Sequence, residues 1–122
     1  MQNFEKMIVG VPYSQNKVKG RVAGCDEWTQ TIIESTKSLP KLKPPYRIDI
    51  AFILPDSKYP KDHPYGSDLD NLTKRLFDAL NNTIFSEAPG KDGSVIKMIV
   101  SKRLAIKNEP TGALISLTES SS

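Results

Sequence analysis

The stretch Ser67–Asn82, SDLDNLTKRLFDALNN, constrains the fold of this chain more than any other. At 100° per residue, Leu69, Leu72, Leu76, Ala79 and Leu80 fall on one side of a helix. Asp70, Lys74 and Asp78 stand one turn apart on the opposite side, with Asn71 beside them. Such a helix must lay its apolar stripe on another element, and a strand with one apolar face is the natural complement. Tyr46, Ile48, Ile50 and Phe52 provide one, alternating with Arg47, Asp49 and Ala51.

The remaining segments fill out that frame. Phe4–Val11, with the run Met7-Ile8-Val9 and Pro12 at its end, reads as a first strand, and the polar, basic Tyr13–Gly24 as a loop. From Asp26, the residues Trp28, Ile32, Ile33, Thr36 and Leu39 recur at helical spacing until Pro40, and Pro44-Pro45 keeps the next segment extended. Leu54–Gly66 is a long loop, and Val95–Ile106 a long strand. In that strand Ile96, Met98 and Val100 alternate against Lys97, Ile99 and Ser101, and Ile99 implies that both faces are partly covered. Asn108–Gly112 reads as a hairpin turn, Ala113–Thr118 as the last strand, and residues 119–122 as a disordered tail. The order β-α-β-α-β-β predicts an α+β fold with two helices packed on one mixed sheet, and 122 residues suit a single domain spanning 1–122.

Composition narrows the setting. No run approaches the ~18 apolar residues of a membrane helix, and the opening MQNFEKMIVG lacks the features of a secretory signal. The single cysteine, Cys25, has no internal disulfide partner, which suits a reducing compartment, so a cytoplasmic protein is expected. Net charge is only +3, but its distribution is uneven. Lys17, Lys19 and Arg21 lie in one stretch without acids, and Lys97, Lys102, Arg103 and Lys107 in another. Asp56, Asp62, Asp68, Asp70 and Asp78 collect between them. Basic flanks around an acidic centre suit a polyanion held over metal-binding carboxylates, and they also suit a plain solvated surface.

The second helix carries the candidate chemistry. Ser67 with Asp70 resembles a capping box, and acid–lysine pairs one turn apart stabilise ordinary surface helices. Asp68 and Asp70 add something more: they are next-but-one neighbours at a loop-to-helix junction, free to turn towards one point. A hard cation such as Mg²⁺ takes one or two carboxylates, water and substrate phosphate. Asp92, just before a strand, can add a carboxylate if that strand lies beside the helix start. Phosphodiester hydrolysis uses a metal to generate hydroxide and offset leaving-group charge, and Lys74 can stabilise the charged phosphorane.

Asp68-Leu69-Asp70-Asn71-Leu72-Thr73-Lys74, continued by Asp78-Ala79-Leu80, resembles the DLDN-x-x-K-x-x-x-DAL signature of the RusA family of Holliday junction resolvases. Val11-Pro12-Tyr13-Ser14-Gln15-Asn16-Lys17 is similar to the family's entry loop, Asp92 followed by Ser94-Val95 to its third acid, and Leu114–Leu117 to its closing strand. The resemblance implies a metal-dependent endodeoxyribonuclease that resolves four-way DNA junctions by paired symmetric nicks. It implies catalytic, metal-binding roles for Asp68, Asp70 and Asp92, and a catalytic, phosphate-facing role for Lys74. It also implies Mg²⁺ (or Mn²⁺) as cofactor, a homodimer, and four-way junction DNA as partner, with no membrane and no small-molecule cofactor. Lys17, Lys19, Arg21, Asn71 and Lys74 are the candidate DNA contacts. The family commonly has two adjacent acids at the third position, whereas Lys91 precedes Asp92 here, so Glu87 stands as the fallback third carboxylate.

Other residues fit plainer roles. His63 reads as an exposed loop histidine, Cys25 as a helix-start or packing residue, and Trp28 as core. Asp78 either orients Lys74 or neutralises it. A catalytically weakened junction-binding module of the same fold is the alternative function. A nucleotide-sugar transferase would need a nucleotide-binding domain, for which the chain is too short and lacks a glycine-rich fingerprint.

Overall fold

The computed structural model describes residues 2–13, 23–55 and 68–120, with side chains in the first helix from Glu27 onward. Its elements are β1 (Asn3–Val9), α1 (Ala23–Thr36), β2 (Tyr46–Leu54), α2 (Leu69–Leu80), β3 (Val95–Leu104) and β4 (Gly112–Glu119). A short 3-10 helix, Lys91–Ser94, leads into β3. The sheet order is β1-β4-β2-β3, with β4 antiparallel to both β1 and β2, and β2 parallel to β3. This is the α+β fold expected from the sequence, a four-stranded mixed sheet with two helices.

The β2–β3 pair fixes where α2 lies. Parallel neighbours need a connection that returns to the starting end of the sheet, and α2 makes that return. It therefore runs opposite to both strands, beginning near the end of β2 and finishing where β3 begins.

Pairing register assembles the core. Ile48 lies between Leu117 and Met98, Ile50 between Ile115 and Val100, and Phe52 beside Ala113. Ile48, Ile50, Phe52, Ala113, Ile115 and Leu117 share one buried cluster with Trp28 and Ile32 of α1 and Leu72, Leu76, Ala79 and Leu80 of α2. Each fully buried large aliphatic contributes about 1.5–3 kcal/mol. Phe85, after α2, packs against Tyr46 at 5.3 Å and edge-on against Phe77 at 5.9 Å between ring centroids. The buried hydroxyls of Thr36 and Thr83 satisfy each other at 2.8 Å, tying the end of α1 to the segment after α2. Among the described residues no helix is long and apolar enough to cross a membrane.

Three expectations need correction. Asn108–Gly112 does not close a hairpin, because β4 pairs with β1 and β2 rather than β3. The connection instead passes the end of β2, where Ala105 N–H donates to the Leu54 carbonyl at 2.9 Å. It is braced by the Arg103 guanidinium on both oxygens of Glu109, one at 2.6 Å. The tail also starts later than residue 119: Glu119 pairs with Tyr46, its carboxylate accepts the Lys43 N–H at 2.9 Å, and Ser120 N–H reaches the Pro45 carbonyl. Finally, β3 is not covered on both faces. Among the described residues it has a single strand neighbour, β2, and Ile96, Met98 and Ile99 stand exposed on it.

Two expected outcomes follow from these contacts. Gly112 has φ 150°, and a Cβ there would sit 1.9 Å from the backbone oxygen of Ile8. Gly112→Ala should cost about 3 kcal/mol in urea unfolding, since backbone strain and backbone overlap each cost about 1–3 kcal/mol. The hydrogen bond from Arg103, with help from the Ile106 N–H, holds the Glu109 carboxyl down at about 2. A depressed carboxyl stabilises the fold above its unfolded value and loses that contribution as pH falls towards 2. An NMR titration should place the Glu109 midpoint at about 2, and Arg103→Gln should return it to the ordinary carboxylate range.

Candidate active site

Helix α2 divides its residues between core and solvent, and the division sets up the site. Leu72, Leu76, Ala79 and Leu80 are buried, while Asp70, Lys74 and Asp78 are exposed on the far side. Asp68 stands at the N-cap with extended backbone, φ −68° and ψ 130°, and its carbonyl accepts the Leu72 N–H at 3.0 Å. Its carboxylate makes no capping bond, so the usual structural use of an aspartate at this position is missing. Ser67 of the expected capping box lies outside the described residues.

Between α2 and β3 runs a cleft of about 390 Å³. Asp70, Lys74, Phe77 and Asp78 line it from the helix, Met98 and Val100 from the strand, and Asp92 from the 3-10 helix. Lys74 forms no ion pair with Asp70 or Asp78; the ion pairs among the described residues lie elsewhere. It lines the cleft, and among the described residues no carboxylate pairs with its ammonium, so neither expected role of Asp78 is exercised through an ion pair.

Asp92 is held by a residue that sequence reasoning missed. Asn81, at the C-cap of α2, donates from Nδ2 to Asp92 Oδ2 at 3.2 Å and accepts the Asp92 N–H on Oδ1 at 3.0 Å. The turn before it needs left-handed backbone at both Gly90, φ 76°, and Lys91, φ 49°. The Ser94 hydroxyl closes the same turn on the Pro89 carbonyl. An asparagine just past a helix end reads as a cap from sequence, and nothing in the spacing points to a partner eleven residues on.

The condition attached to Asp92, that its strand lie beside the helix start, is not met within one chain. Asp92 is bonded to Asn81 at the end of α2, and Asp70 is in the first turn. Eleven residues of helix rise ~16 Å. Ligands of one Mg²⁺ each lie ~2.1 Å from it, so two of their oxygens are at most ~4 Å apart. Consistent with this, no group of three or more acidic, histidine or cysteine side chains is gathered for a metal among the described residues. Asp70 lines the cleft at the start of α2, two residues from the N-cap residue Asp68, and Asp92 lines it at the end of the helix. Glu87, the fallback, pairs with Lys41 at 3.2 Å and does not line the cleft.

Among the candidate DNA contacts, Lys74 faces the cleft and Asn71 is half-buried on α2, while Lys17, Lys19 and Arg21 lie outside the described residues, as does His63. Cys25 falls in α1, where its side chain is not described, and Trp28 is core. Arg103, from the second basic stretch, is committed to Glu109.

A family model for endodeoxyribonuclease RusA matches residues 15–114. The chain belongs to the RusA family. Comparison with curated proteins returns no match. RusA membership makes the chain one of a family of endodeoxyribonucleases that resolve Holliday junctions. The matched span contains α2, the cleft and Asp92 of this RusA domain.

If Asn81 fixes Asp92 as described, Asn81→Ala should lower stability by about 1 kcal/mol, the net worth of a hydrogen bond. Hydrogen exchange at the Asp92 amide should rise with it. Glu87→Gln should leave that amide unchanged, and equal effects of the two changes would refute the assignment.

Proposed function

We propose that this RusA protein is a divalent-metal-dependent nuclease that cuts four-way junction DNA by paired, symmetric phosphodiester hydrolysis, working as a homodimer. The observation that carries the reading is the placement of Asp70 and Lys74 on one exposed face of α2, in a cleft, with no ion pair between them. A surface helix stabilised by acid–lysine pairs would close that contact.

The donor set suits Mg²⁺ or Mn²⁺. Asp68 and Asp70 offer hard carboxylate oxygens two residues apart at the helix start, the Asp68 carboxylate is not used as a cap, and two carboxylates with water and phosphate satisfy such an ion. A bound divalent cation supplies an activated water and offsets charge on the leaving oxygen. Asp68 and Asp70 would hold the cation. Lys74, one turn along from Asp70, would neutralise the phosphate as negative charge builds on it. Met98, Val100 and Phe77 give the cleft apolar walls beside these charges.

The weakened binding module of the same fold makes an opposite forecast for Asp70 and Lys74, since binding alone requires neither carboxylate chemistry nor transition-state charge. The test is a labelled synthetic four-way junction beside a linear duplex, with Mg²⁺, Mn²⁺ or EDTA. The protein should place paired nicks in the junction, only when metal is present. Asp70→Asn should abolish nicking with junction binding intact, and Lys74→Met should slow it by about 10²–10³. Binding without cleavage in either metal would leave the module as the correct reading.

A further inference from the structure

The connection from β3 to β4 displays a side chain that neither the core nor the cleft uses. Ile106 is 71% exposed, more than any other large hydrophobic among the described residues. It is nonetheless firmly held. Its N–H donates to the Glu109 carboxylate at 3.0 Å, and its carbonyl accepts the Glu109 N–H at 3.0 Å. Glu109 is gripped in turn by the Arg103 guanidinium, and Ala105 is bonded to the end of β2. Both backbone groups of Ile106 are therefore engaged in an anchored turn, and a β-branched side chain is stiff at χ1. An apolar group fixed in water in this way is preorganised for contact.

Its surroundings indicate the kind of partner. Gly93–Asn108 holds Lys97, Lys102, Arg103 and Lys107 without an acid, and Lys107 directly follows Ile106. Glu109, the acid of the connection, is paired with Arg103. Val9 and Val11, both exposed, add to the apolar surface at this end of the sheet. Gly10, between them, is bonded to Thr111 of the same connection through both its N–H and its carbonyl. Apolar side chains within net positive charge complement a nucleic acid whose base faces are accessible beside its phosphates. A second copy of this chain would bring like charges together.

Position relates this patch to the cleft. β3 rises ~30 Å from Val95 to Leu104, and α2 covers ~16 Å between Asn81 and Asp70. Because Asn81 is bonded to Asp92 just before β3, the strand ends ~14 Å past the level of Asp70. That is close to the ~12 Å width of a major groove, so a phosphate at the carboxylates and nearby base pairs share one footprint.

We infer that Ile106 is a wedge that packs on the open base-pair faces at the branch point of a four-way DNA junction, and that it sets the preference for branched over linear DNA. The inference rests on the junction-cutting reading given above and adds the group that senses the branch. In a linear duplex every base pair is stacked, so an inserted side chain must first unstack a step. At a four-way crossover stacking is already interrupted, and the same contact costs less.

The test compares a four-way junction with a linear duplex of the same sequence, by fluorescence anisotropy in EDTA. A 2-aminopurine beside the branch reports unstacking as a rise in fluorescence. Ile106→Ala should bind the junction about 10-fold more weakly, as loss of three buried carbons predicts, and the linear duplex as the wild type does. It should also lose the 2-aminopurine rise. Ile106→Thr, branched like the native residue but polar, should behave as Ile106→Ala does, and Ile106→Trp should keep the rise. Lys107→Gln should instead weaken both DNAs alike and lower the salt slope by about 0.9. Circular dichroism and light scattering should match the wild type in all four.

Junction preference and fluorescence rise retained in Ile106→Ala would overturn the wedge and leave the nuclease reading standing. Equal loss on both DNAs would overturn it too, making Ile106 a general contact. A change of oligomeric state in Ile106→Ala would assign the residue to a protein interface and overturn the wedge. Wild-type protein that neither binds nor cuts the junction would overturn the nuclease reading, and the wedge with it.

Discussion

Parallel pairing of β2 with β3 governs the rest of the molecule. Two parallel neighbours cannot be joined by a tight turn, so the chain must travel back the full length of the sheet before β3 can start. Helix α2 makes that journey with its leucines against the strands, and its direction is fixed by the task. The consequence reaches the chemistry: whatever stands in the first turn of α2 is separated from whatever precedes β3 by the helix itself. Asp70 and Asp92 are those two residues.

Core and site draw on the same twelve residues. On one side Leu72, Leu76 and Leu80 anchor the helix, and on the other Asp70 and Lys74 project from a backbone that cannot drift without disturbing the core. Functional groups on a rigid element keep their geometry better than groups on a loop. Asp92, by contrast, sits on a short 3-10 turn with two left-handed residues before it. Such a turn is held by few backbone contacts, which is where the bidentate grip of Asn81 matters.

Much of this was legible in the residues. The period of α2 and the alternation in β2 gave both elements and their buried faces, because each periodicity records a single covered side. Trp28 and Ile32 were readable as core for the same reason. What could not be read was strand order. Nothing local distinguishes a hairpin at Asn108–Gly112 from a connection that skips past β2, since both call for turn residues at the same place. The exposure of the apolar side chains of β3 was hidden by the same gap, because apolar residues on both sides of a strand look alike whether they are covered or left open. For the site, residue types and helix facing were visible in Asp68, Asp70 and Lys74. The separation of Asp92 was not, as it depends on which way the helix runs between its strands.

The position of β4 has a kinetic consequence. The last strand in sequence lies second in the sheet, where it bonds to both β1 and β2, and Asn3 finds its partner in Thr118. β1 has no neighbour among the described strands until nearly the whole chain is available. Contacts that span so much sequence carry a large loop-closure entropy and delay the rate-limiting encounter. The βαβ unit built from β2, α2 and β3 can gather early around its own leucines, with the edge of β2 that β4 will occupy still open. Folding of this small domain is therefore expected to be slow for its size, and vulnerable to strand-edge association in the interval before β4 docks.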